Sequence, residues 1–184
     1  MKKLVLGIVG EIAAGKTTVT DYFKEKYNAE TFRFSDMLRD VLDRMHIEKS
    51  RENLQALSTF LRQTYSEEIM SKVIAEDVKK AEHELIITEG VRRPTDVTYL
   101  RELPNFHLIA INTDAETRYQ RITKRSENPD DKNKTWEQFQ EDGAQEAEQK
   151  IKEIAAEADV TLDNNGSLKN LYSQIDIFVK KYED

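Results

Sequence analysis

Gly10-Glu11-Ile12-Ala13-Ala14-Gly15-Lys16-Thr17 is the stretch on which the reading of this chain turns. It meets G-x-x-x-x-G-K-[ST] at every fixed position, and each fixed position has a physical task. The glycines let the backbone turn so that its N–H groups face a phosphate. A helix opening after Gly15 adds its positive dipole end. Lys16 reaches the β- and γ-phosphates, and the Thr17 hydroxyl is placed to ligate magnesium. Gly10, Ala13, Ala14, Gly15, Lys16, Thr17 and Thr18 are therefore the expected contacts of a nucleoside triphosphate, with ATP and Mg2+ the expected cofactors. Glu11 is an acidic residue at a position the motif leaves free.

The flanks suit that motif. Lys3 to Val9 is apolar and rich in branched residues, without a helical period, and reads as a buried strand. Helix formers follow from Gly15 to about Tyr27. Further strands are expected over 30–34, 85–88, 106–111 and 160–162. Between them lie helical stretches: one after a Ser35 N-cap, and one over 51–84 with a break near Ser66. Another starts at Pro94 and ends before Pro104. Capping boxes at Thr113/Glu116 and Thr135/Gln138 open two more, the second a long helix to about Ala158. A last helix is capped by Ser167 after the turn Asn164-Asn165-Gly166. Strands alternating with helices predict an α/β protein with a five-stranded parallel sheet and helices on both faces.

The chain has 184 residues, which suits one domain. It has no cysteine, so disulfides and thiolate metal sites are excluded. A net charge of −7 argues against a general nucleic-acid binder. No apolar run approaches the ~20 residues of a membrane span, and the short apolar start runs into the glycine motif as a strand would. The expected location is the cytoplasm, as a monomer or homodimer. The three histidines have no useful spacing, and Trp136 reads as a packing anchor.

Basic residues cluster where an anionic substrate would lie. Arg118, Arg121 and Arg125 share a helix face. With the polar loop 126–134 they read as an arginine-bearing lid over a transferring phosphoryl group; a solvated face paired with acids is the alternative. Glu89, just past a strand, is the candidate acidic partner of the magnesium. Arg39, Arg92 and Arg93 follow strand ends, where open α/β sheets bind ligands, and are candidates to grip an acceptor phosphate. Asp36 at the same edge is a candidate base for an acceptor hydroxyl, or a helix cap. Gln55 and Arg62 are candidate contributors to the acceptor pocket.

Together these segments resemble the nucleotide-kinase branch of P-loop proteins. Ser35-Asp36-Met37-Leu38-Arg39 is similar to the segment that opens the monophosphate-binding helix of adenylate kinases, which implies that Arg39 grips the acceptor phosphate. Thr88-Glu89-Gly90-Val91-Arg92-Arg93-Pro94 resembles a strand-end signature of deoxynucleoside monophosphate kinases and of nucleotide kinases akin to dephospho-CoA kinase, which implies that Arg92 faces the acceptor. Ala158 to Leu168 is similar to the dephospho-CoA kinase C-terminal segment, which implies that Asn165 and Gly166 lie near the nucleotide base. One departure stands out: dephospho-CoA kinases usually carry Asp-Ala-Asp after the second strand, where this chain has Phe34-Ser35-Asp36.

The resemblance implies a three-layer α/β/α P-loop NTPase fold in a single domain, with a helical acceptor-binding insert near 35–84 and a lid near 118–140. It implies an ATP-dependent kinase of a nucleoside or deoxynucleoside monophosphate. Dephospho-CoA is the alternative acceptor, and a non-nucleotide metabolite a further one. A nucleotide-dependent switch is the rival from another class. Asn133-Lys134-Thr135-Trp136 lacks the aspartate of a guanine-selecting Asn-Lys-x-Asp segment, and Ile111-Asn112-Thr113-Asp114 lacks its lysine.

Overall fold

A computed structural model describes residues 3–124, 134–144 and 146–182. Its centre is β1 (Leu4–Val9), all six residues of which are buried. Alternate residues of this strand enter opposite layers, as the two-residue period of a strand requires. Val5 and Val9 join Ile86, Leu108 and Ala110 under α4 (Ile69–Lys80) and α7 (Glu146–Ala156). Leu4, Leu6 and Ile8 join Leu85, Ile87 and Ile109 under α1 (Lys16–Tyr27) and α8 (Leu168–Lys180). The result is the expected α/β/α sandwich around a parallel sheet.

The other strands are β2 (Glu30–Arg33), β3 (Leu85–Glu89), β4 (Phe106–Asn112) and β5 (Val160–Asp163), and the sheet order is β2-β3-β1-β4-β5. β1 pairs with β3 on one side and with β4 on the other, so the winding reverses around its C-terminal end. That end is the crevice in which such sheets bind ligands. Among the described residues no helix is long and apolar enough to cross a membrane.

The segment read from the sequence as a helical insert forms α2 (Asp36–Arg44), α3 (Arg51–Thr64) and α4, with the expected break between the last two. The remaining helices are α5 (Ala115–Lys124) and α6 (Trp136–Ala144). Several local expectations change. Ser35 occupies the N-cap position of α2 but makes no side-chain cap; the Asp36 carboxylate instead accepts the Arg33 N–H at 3.1 Å. Pro94 opens only one 3-10 turn, Pro94–Asp96, because Asp96 turns inward to partners described below. Of the helix expected from Thr135 to Ala158, the described residues are helical over α6 and α7, and residue 145 between them lies outside the described residues. The capping box at Thr135 is made in both directions, Thr135 N–H to Gln138 at 2.9 Å and Gln138 N–H to Thr135 at 3.2 Å. Ser167 caps α8 by accepting the Asn170 N–H. Trp136 packs in a cluster with Tyr119 and Phe139.

Candidate functional site

The loop between β1 and α1 is built from left-handed residues. Ala13 has φ 60° and Gly15 φ 100°. Such turns aim successive N–H groups into one concavity. Gly15 starts α1 with no side-chain cap, and the first turn of α1 carries no acidic residue, so no side chain there neutralises the positive end of the helix. A Cβ on Gly15 would collide with Asn164 Nδ2, and one on Gly10 would sit 3.0 Å from the Ile111 carbonyl. Neither site has room for a larger residue. Lys16 Nζ donates to the carbonyls of Gly10 at 2.7 Å and Glu11 at 2.9 Å, so it spans the mouth of the loop. Thr17 is exposed beside it and Thr18 is half-buried. Left-handed turns, an ammonium and an uncapped helix start fit a polyphosphate anion.

The far side of this loop is held by other elements. The Ala14 carbonyl accepts from Thr113 Oγ1 at 2.9 Å, Asn164 Nδ2 at 2.7 Å and Arg121 Nη1 at 3.4 Å. Arg121 also reaches the Ala13 carbonyl at 3.4 Å and the Asn164 carbonyl at 2.9 Å. Arg118 is buried; its Nε donates to the Thr113 carbonyl at 3.1 Å and its Nη1 to the Ile12 carbonyl at 3.5 Å. Its guanidinium pairs with Glu11 at 3.0 Å and lies over the Phe139 ring. Lys152 stands 3.6 Å from the same Glu11 carboxylate.

Two members of the arginine face read from the sequence as a lid make their hydrogen bonds to backbone carbonyls of the phosphate loop and its neighbours. Arg118 and Arg121 lie behind the phosphate loop, because α5 runs alongside it and the outward loop carbonyls offer their guanidinium groups partners. Arg125 and residues 126–133, also assigned to the lid, lie outside the described residues. Glu11, unremarked by the motif, is the counter-charge that keeps Arg118 there. Thr113, read as part of a capping box, donates its hydroxyl to the Ala14 carbonyl.

The turn at 164–166 closes beside this brace. Asn165 Oδ1 accepts the Asp114 N–H at 2.7 Å, and its Nδ2 donates to Asp163 at 2.6 Å. Gly166 is exposed next to it.

At the β2–β3 end of the sheet, Glu89 ends β3 and pairs with Arg33, its register partner on β2, at 2.9 Å. A hydroxyl such as Thr17 and a carboxylate such as Glu89 are the hard oxygen donors magnesium takes. Asp36, Arg39 and Arg92 are exposed, and among the described residues the Arg39 and Arg92 side chains form no ion pair. Arg93 pairs with Glu67 at 3.4 Å. Arg62 does not face an open pocket. It is buried in an ion pair with buried Asp96 at 2.7 Å and donates to the Glu67 carbonyl. The other Asp96 oxygen accepts the Arg92 and Arg93 N–H groups at 2.9 and 3.0 Å. Arg62 therefore acts on this edge through Asp96, by fixing the backbone that carries both arginines.

Sequence reasoning missed Thr113, Asn164, Asp96 and Arg33. Thr113 and Asn164 sat in segments read as a cap and a turn. Arg33 was visible only as a strand-end residue, and nothing local marked Asp96.

A family model described as an AAA domain matches residues 9–140. A UPF0200 protein of Methanocaldococcus jannaschii is 31% identical over 177 residues, covering 94% of this chain and 87% of the relative. A UPF0200 protein of Pyrococcus abyssi is 28% identical over 183 residues, covering 97% and 96%. Among solved structures, TT1252 from Thermus thermophilus superposes with a TM-score of 0.64 at 15% identity, over 100% of both chains. Shikimate kinase from Bacteroides thetaiotaomicron does so with 0.63 at 14% identity, over 98% of this chain and 99% of its own. The fold is that of the P-loop kinases.

Proposed function

We propose that this chain, which belongs to the UPF0200 family and carries an AAA domain over residues 9–140, is an ATP-dependent kinase of a small phosphate-bearing acceptor, foremost a nucleoside or deoxynucleoside monophosphate. The observation that carries the reading is the pairing of two features at one sheet edge. A loop with left-handed Ala13 and Gly15 and an uncapped helix start suits a triphosphate. Across the edge, Arg39 and Arg92 are exposed arginines suited to the phosphate of an acceptor.

Phosphoryl transfer asks a protein for positioning and charge stabilisation more than for covalent chemistry. In this reading Lys16 and the amides from Ala13 to Thr18 bind the donor phosphates. Bound magnesium would neutralise charge on the phosphate oxygens, with the Thr17 hydroxyl and the Glu89 carboxylate as its protein ligands. Glu89 would then exchange its Arg33 partner for the metal. Arg39, Arg92 and Arg93 orient the acceptor. Arg121 and Arg118 contribute by holding the loop, and Arg125 keeps the lid role expected of it. Asn165 and Gly166 flank the base.

A hydroxyl acceptor such as dephospho-CoA is a second reading, favoured by one observation. Asp36 is exposed at the strand edge with one carboxylate oxygen on the Arg33 N–H and the other without a partner among the described residues, so it can take a proton.

The test is ADP release in a coupled assay, run with ATP and magnesium against nucleoside and deoxynucleoside monophosphates, dephospho-CoA and, given the names of fold neighbours, shikimate and a sugar. Turnover that depends on one acceptor is the expected result. Slow hydrolysis indifferent to every acceptor would replace the kinase with a nucleotide-dependent switch.

A further inference from the structure

We infer that Thr113 and Asn164 are positioning residues which clamp the Ala14 carbonyl and so preset the Gly15 N–H for a phosphate oxygen; this rests on the nucleotide-site reading above. In a trans peptide the carbonyl and the following N–H point in opposite directions. Pinning the Ala14 oxygen behind the loop therefore aims the Gly15 N–H into its concavity. Gly15, at φ 100°, has no side chain to restrict it and would otherwise sample many backbone states.

The clamp is crowded and rigid. An oxygen with two lone pairs receives three donors, Thr113 Oγ1 and Asn164 Nδ2 at 2.9 and 2.7 Å and the more distant Arg121. Thr113 and Asn164 are both buried. They follow the ends of β4 and β5 and are tied to each other through the sheet: the Asn164 N–H donates at 2.8 Å to the carbonyl of Asn112, the residue before Thr113. The Asn164 amide also fills the space against Gly15 that a Cβ would need. The clamp thus fixes the anion site before ligand arrives, removing an ordering cost from binding. It also makes the turn at Asn165, joined to Asp114 by its own hydrogen bond, one unit with the phosphate loop.

The decisive measurement is calorimetric affinity for two probes, AMPPNP with magnesium and inorganic tripolyphosphate with magnesium, at a temperature where circular dichroism shows each variant folded. Thr113→Val keeps the shape and deletes the donor; it should weaken both probes by about three- to tenfold. Thr113→Ser keeps the hydroxyl and should restore the affinity. Asn164→Asp sets an acceptor against the Ala14 oxygen and should weaken both probes by roughly tenfold or more. A contribution to stability alone would move the melting temperature but not the affinity of folded protein. Unchanged affinity in folded Thr113→Val overturns the clamp even if Asn164→Asp fails to fold. A wild-type chain that binds neither probe overturns the nucleotide site, and the clamp with it.

Discussion

Lys16 is the residue whose environment is most informative about the loop. Its ammonium bridges two loop carbonyls, so it is already held at the mouth. Lys16→Ala should lower kcat/KM for ATP by roughly a hundredfold or more, the scale of losing one charge-stabilising donor; initial rates in the coupled assay check this. Asp36→Asn separates the two acceptor classes. It should cripple transfer to a hydroxyl and affect transfer to a monophosphate far less, as read in paired acceptor titrations. Arg62 and Asp96 are a different kind of residue. Both are buried, and each neutralises the other. Removing one partner leaves an uncompensated charge inside, at a cost of about 3–5 kcal/mol. Arg62→Ala should lose about that much in urea denaturation.

At the scale of elements, the helix that carries the phosphate loop is clasped to the last helix by one carboxylate. Asp176 of α8 accepts from Tyr27 at 2.6 Å, Tyr22 at 2.9 Å and Lys26 at 2.7 Å, all on α1, while Tyr22 stacks on Tyr172 at 3.9 Å. Burial works against the charge of Asp176, but hydrogen bonds from Lys26, Tyr27 and Tyr22 outweigh it and hold the carboxyl below its ordinary range. A depressed folded pKa adds stability that is complete above about pH 4 and lost as pH falls through the folded value. Asp176→Asn should therefore melt below wild type at neutral pH, and the gap should close as the melts are repeated at progressively lower pH. Elements also show which local signals were sufficient. The box at Thr135 and the cap at Ser167 act on neighbours three residues away and formed as read. Ser35 carries the same signal but makes no side-chain cap, and the Thr113 hydroxyl donates to the Ala14 carbonyl across the chain.

For the whole molecule, the sheet order places the phosphate loop where the winding reverses. Ligand bound there reports on the entire fold. AMPPNP with magnesium at a hundred times its Kd should stabilise the native state by ~2.7 kcal/mol. For a chain of this size that corresponds to a rise of roughly 5–10 °C in Tm. Scanning calorimetry should show that rise in wild type and little of it in Lys16→Ala at the same concentration.

The phosphate loop, the five strands and most of the helices were legible in the sequence, since each depends on a motif or a period within a dozen neighbouring residues. The partners of the site residues were not. Thr113 and Asn164 meet Ala14 across separations of 99 and 150 residues, Arg62 meets Asp96 across 34, and Arg33 meets Glu89 across 56. A guanidinium read from spacing alone has no direction. Only the sheet, by setting α5 beside the loop and β5 beside β4, decided that Arg118 and Arg121 would turn to the loop carbonyls behind the phosphate site. Local propensity decides which element a residue joins, and packing decides which of its possible hydrogen bonds it makes.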